Sequence, residues 1–83
     1  MYCIRILNKY DVWAGYLCWS KKNYSFYLTY LYNKNNEELL EYPAYDIAKE
    51  TARAFIDMNP DTRYEYVILK SDENNPLIYN KQK

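Results

Sequence analysis

Three stretches early in the chain, residues 2–7, 12–19 and 24–32, are dense in β-branched and aromatic side chains and bounded by Asn, Lys, Asp or Ser, the composition of strands closed by turns. The connections Asn8-Lys9-Tyr10-Asp11 and Ser20-Lys21-Lys22-Asn23 have hairpin length, which predicts a three-stranded antiparallel meander. Over residues 46–58 the period changes. Ile47, Ala48, Thr51, Ala52, Phe55 and Ile56 form the stripe of an amphipathic helix, with Asp46 as its expected N-cap and Asn59-Pro60 as its stop, since Asn tolerates the left-handed region and Pro cannot continue the ladder. Residues 64–70 return to a strand pattern, 71–75 are turn material, 76–79 suit a short edge strand, and the last four residues should fray. Residues 38–42 fit either a short strand or an irregular lead-in to the helix. The pattern therefore predicts an α+β fold: a meander of three to five antiparallel strands with one helix packed on one face, a single domain over 1–83.

Strict alternation sorts the strand residues onto two faces. If the four-residue turns pair Leu7 with Val12 and Trp19 with Tyr24, one face collects Ile4, Ile6, Trp13, Gly15, Leu17, Trp19, Phe26, Leu28 and Tyr30. The helix stripe should cover it, with Gly15, the only glycine, letting the helix backbone approach. The other face collects Cys3, Arg5, Leu7, Val12, Ala14, Tyr16, Cys18, Ser25, Tyr27, Thr29 and Leu31, more apolar than a solvated sheet face. One helix cannot cover both faces, so either the polar-looking C-terminal segment folds over the second or that face is an interface; the interface is the expectation, with Arg5, Tyr16, Tyr27, Thr29 and Leu31 as partner-binding residues.

Charge narrows the partner. Eleven Lys plus Arg balance eleven Asp plus Glu, without the positive field of a duplex-phosphate binder or the acidity of a nucleic-acid mimic. No apolar run is long enough to span a membrane, and Met1 leads straight into a strand pattern without a leader's basic and apolar regions; the expected location is the cytoplasm. In that compartment Cys3 and Cys18 are expected to be free thiols.

Chemistry is sparse. With no His, the commonest general base is missing along with every Ser-His and Cys-His pair, and one glycine leaves no phosphate-cradling loop. No metal or cofactor is expected. Glu37, Glu38 and Glu41 read as a solvated charge cluster, and Lys49, Glu50, Arg53 and Asp57 as a solvated helix face with an Arg53–Asp57 pair. The chain is therefore expected to be no enzyme. Its twelve tyrosines suit the energetic centre of an interface, and they equally suit the drift of an AT-rich genome, since Phe, Ile, Tyr, Asn and Lys make 37 of 83 residues.

In its size, its Asn/Lys/Tyr bias and its order of strand meander, helix and strand, the chain resembles the small accessory proteins of phages and mobile elements, among which anti-CRISPR and other anti-defence inhibitors are prominent. No motif carries that resemblance, so no residue role follows from it. It implies a non-enzymatic inhibitor that sterically blocks a host nuclease or effector complex, often as a homodimer. Neutral charge implies surface blocking instead of mimicry of nucleic acid. A second expectation is a single-strand nucleic-acid binder stacking bases on Tyr10 and Trp19 beside Lys21 and Lys22; a third is a structural homodimer subunit.

Overall fold

The computed structural model describes residues 1–8 and 13–70, with only the backbone of Trp13 and Ala14. Five strands, β1 (Tyr2–Leu7), β2 (Trp13–Ser20), β3 (Ser25–Thr29), β4 (Glu41–Tyr42) and β5 (Glu65–Lys70), form one antiparallel sheet, and a single helix, α1 (Tyr45–Asp57), packs on it. The fold is α+β, as the pattern predicts. The expected turn through Tyr10, the placement of Val12, and the turn and edge strand after residue 70 lie outside the described residues.

Strand β1 is the axis of the sheet. One of its edges is taken along its whole length by β5, from Tyr2↔Lys70 to Leu7↔Glu65. The other edge is shared: Arg5, Ile6 and Leu7 pair with β2, while Tyr2 and Cys3 pair with β4. The β1–β2 hairpin thus opens into a fork, and residues 38–42 enter it. Trp19 N–H donates to the Glu38 carbonyl at 2.9 Å, Leu40 N–H donates to the Leu17 carbonyl at 3.2 Å, and Cys18 bridges Leu39. The segment that the pattern leaves open is a wedge strand that satisfies both sides of the fork.

Alternation along this wedge explains its role. Leu40 and Tyr42 join the core beneath α1, whereas Leu39 turns to the opposite face. The first core is built from Ile4, Ile6 and Leu17 of the sheet and Ala48, Ala52 and Phe55 of the helix, all buried. This matches the predicted helix-side face. The stripe is narrower than expected, because Ile47 is 47% exposed and Thr51 spends its hydroxyl on the Ile47 carbonyl at 3.0 Å.

Several local expectations are corrected. The registers are Ile6↔Gly15 and Trp19↔Phe26, two residues away from the simplest hairpins, and a bulge lies between Ile6 and Leu7. A shift of two preserves each residue's face, so the face lists survive up to the bulge, beyond which the Leu7↔Trp13 pairing departs from them by one residue. Gly15 makes room for β3 and not for the helix. At φ +144 a Cβ there would lie 2.9 Å from the Thr29 carbonyl oxygen and 3.1 Å from Leu28 Cβ. The helix N-cap is Ala44, without a side-chain bond, and Asp46 sits inside the first turn, where its charge favours the helix dipole. Asn59 is not left-handed; its side-chain amide caps the Phe55 carbonyl at 2.8 Å, and the left-handed residue is Arg63, after the 3-10 turn Pro60–Thr62.

Candidate protein-binding edge

The second sheet face is closed, which overturns its reading as an open interface. Cys3, Tyr16 and Cys18 are fully buried under Leu39, with Tyr27, Tyr32 and Leu69 packed around them. The cover is the connection from β3 to β4, which crosses back over the sheet before entering the fork. The Tyr32 ring meets Tyr16 edge-on at 5.6 Å, and its hydroxyl donates to Glu41 Oε2 at 3.1 Å. Arg5, 4% exposed, holds its guanidinium 5.7 Å from the Tyr16 ring centroid.

Of the expected contact residues, Arg5, Tyr16 and Thr29 lie in one cross-strand row through Arg5↔Tyr16 and Tyr16↔Thr29, with Tyr27 two residues along β3. Arg5 and Tyr16 are sealed inside. Tyr27 and Thr29 are half-buried, and Leu31, beyond the strand end, is 65% exposed. What remains accessible is the β3 side of the predicted surface.

Burial and hydrogen bonding fix the protonation states there. Burial pushes the Tyr16 phenol up to about 12, against the lowering influence of Arg5. It pushes the Cys18 thiol up to about 11, so Cys18 is a buried spectator at neutral pH, its Sγ–H donating to the Tyr16 carbonyl at 3.8 Å. Both cysteines are free thiols, as expected. Tyr27 Oη donates to Glu38 Oε1 at 2.6 Å, and the Lys21 backbone N–H donates to Oε2 at 3.2 Å. That bond holds the Tyr27 proton, moving its pKa to about 12, while the same bond and the Lys21 N–H lower that of Glu38. Glu38 and Glu41 are therefore hydrogen-bond anchors for two tyrosines and not merely a solvated cluster; Glu37 is exposed.

Strand β3 ends the sheet, and no described residue pairs with its outer edge. Its backbone polarity follows from its neighbours. The Leu17 carbonyl and Trp19 N–H point to the wedge strand, away from β3, so the residues opposite them, Leu28 and Phe26, turn their own N–H and C=O groups outward. Residues 23–33 contain no charged side chain and no Pro or Gly, so neither charge nor proline blunts this edge. β5, the other outer strand, has a charged residue at each end.

Exposed aromatic surface flanks the edge. Tyr24 closes the β2–β3 turn, its N–H donating to the Ser20 carbonyl at 2.8 Å while Ser20 Oγ accepts the Asn23 N–H at 3.0 Å. It is left-handed, φ 52, a conformation that favours Gly or Asn, and it is 80% exposed. Tyr30, at the far end, is 65% exposed. Sequence reading missed both residues; the signal available was the uncharged run itself.

Of the residues expected to stack single-stranded bases, three lie among the described ones. Lys21 and Lys22 are exposed, but Trp19 packs edge-on against Phe26 at 5.0 Å, and Tyr10 lies outside the described residues. Between α1 and β5 an open groove of ≈ 210 Å³ is lined by Arg53, Ile56, Asp57 and Tyr66. Among the described residues no His, Cys, Asp and Glu side chains cluster to hold a metal, and no helix is long and apolar enough to cross a membrane. No family model matches the chain, and no curated protein or solved structure matches it either.

Proposed function

We propose that this protein is a non-enzymatic, protein-binding inhibitor that blocks its partner sterically, of the phage anti-defence kind exemplified by anti-CRISPR proteins, acting in the host cytoplasm. The observation that carries the reading is the uncharged β3 edge, which no described residue pairs, framed by exposed Tyr24, Tyr30 and Leu31. Such an edge binds by adding a strand: backbone hydrogen bonds supply affinity, and the flanking side chains supply specificity. Tyrosine suits those flanks, since it brings large contact area and a polar tip at low conformational cost.

The test is retention of a bacterial host protein by the tagged chain, compared with a Tyr24→Lys/Leu31→Lys variant whose strands are untouched. Wild type is expected to retain a protein that the variant releases, and retention should survive ~0.5 M salt, because apolar and backbone contacts are not screened as phosphate contacts are. Equal retention by both chains removes the β3 flanks as the contact. Loss at high salt moves the reading to nucleic acid.

A further inference from the structure

We infer that the strand completing the β3 edge is β3 of a second copy of this chain, paired antiparallel about a two-fold axis at Tyr27. This deepens the reading of β3 as a docking edge and rests on it.

The argument is self-complementarity. In a two-fold pairing every residue of the segment meets a residue of the same segment, so the segment must match itself, and like charges facing one another would oppose it. Residues 23–33 carry none. Placing the axis at Tyr27 sets Phe26 opposite Leu28 of the second copy, and Leu28 opposite its Phe26. These are the two residues whose N–H and C=O groups already face outward, so each pair exchanges two hydrogen bonds. Tyr27 meets Tyr27, and Ser25 meets Thr29.

The same register continued past the strand ends brings Tyr24 to Tyr30 of the second copy at both ends of the seam. These two exposed aromatics thus gain contact area across the seam. The phenylalanine and leucine pairs extend the helix-side core of one copy into that of the other, because both side chains already belong to it. Assembly stops at two, since pairing uses the edge up. The target's strand and the second copy then compete for one edge, and a target that leaves the dimer intact meets its joined sheet.

The experiment is the solution mass of the full chain by light scattering and sedimentation across concentration, for wild type and two charge variants. Ser25→Lys/Thr29→Lys sets lysine against lysine at both ends of the seam. Ser25→Glu/Thr29→Lys sets glutamate against lysine at the same places. Circular dichroism and a cooperative thermal transition establish that each variant is folded. The expected result is a wild-type particle of twice the 10.2 kDa chain mass, a dissociation constant raised about tenfold by the two like-charge pairs, and recovery with the opposite-charge variant. A wild-type monomer up to ~0.5 mM, a concentration well above the range of functional dimers, overturns the inference, as does a dimer indifferent to both variants or open-ended aggregation. The inference and the function it rests on fail separately. A monomer that still retains a host protein through its β3 flanks loses only the inference, and a β3 dimer that retains nothing loses only the inhibitor reading.

Discussion

Buried tyrosine and cysteine side chains make this protein sensitive to alkali. Cys18 rises from 9.0 to about 11, and Tyr16 from 10.0 to about 12, both chiefly by burial. Tyr27 reaches about 12 chiefly because Glu38 accepts its proton's hydrogen bond. Each folded pKa lies above its unfolded value, so the native state binds more protons between the two, and stability falls with rising pH through that window. The contribution is whole below pH 9. It declines first through Cys18, between pH 9 and 11, and then through the tyrosines, between pH 10 and 12. Urea midpoints measured from pH 7 to 11.5 should decline from about pH 9, and Cys18→Ala should delay the onset by about one pH unit. An onset unchanged in that variant would show that Cys18 is not the first group to ionise. Glu38 acts in the opposite direction. Its lowered pKa adds stability that is present above 4.5 and lost as the pH falls below it.

At the scale of elements, legibility divides by sequence distance. The pattern locates β1 to the residue and α1 to within one, because each is written in a local period, alternation for the strand and a 3.6-residue stripe for the helix. The two faces are legible as well up to the bulge after Ile6, since the Ile6↔Gly15 and Trp19↔Phe26 registers differ from the simplest hairpins by two residues. The fork is not legible: Glu38 to Tyr42 pair with residues about 20 to 40 positions away, and no local period announces which strands will part to admit them. That omission is why Arg5 and Tyr16 read as an open surface; the sheet face was identified, and the connection that seals it was not. Gly15 marks the same limit. Its isolation in a strand signals a close approach, but only the folded register shows that the neighbour is the Thr29 carbonyl. Gly15→Ala should therefore destabilise the fold by about 2 kcal/mol or more, through backbone strain and overpacking against a carbonyl that cannot swing aside. A urea midpoint within error of wild type would mean that β2 and β3 part easily, leaving the edge strand too mobile to serve as a template.

For the molecule as a whole, the sheet has a core on each side, and the same strands build both. Ile4, Ile6 and Leu17 face the helix, and Cys3, Tyr16 and Cys18 alternate with them toward the other face. Opening either core requires β1 and β2 to come apart, so the two should unfold as one unit despite their different covers, a helix on one side and a connecting segment on the other. Cys18 reports on this directly, since its thiol is fully buried and reacts only when the second face opens. Ile6→Val removes one methyl group from the helix-side core without touching that face and should cost about 1 kcal/mol. With opening in rapid equilibrium, labelling of Cys18 in a Cys3→Ala background should accelerate about fivefold, in step with the loss of global stability. If labelling stays at its original rate while the urea midpoint falls, the loop-covered face opens on its own. The segment between β3 and β4 is then a separate cover that can lift while the helix-side core, with Phe26 and Leu28 of β3 packed on it, holds.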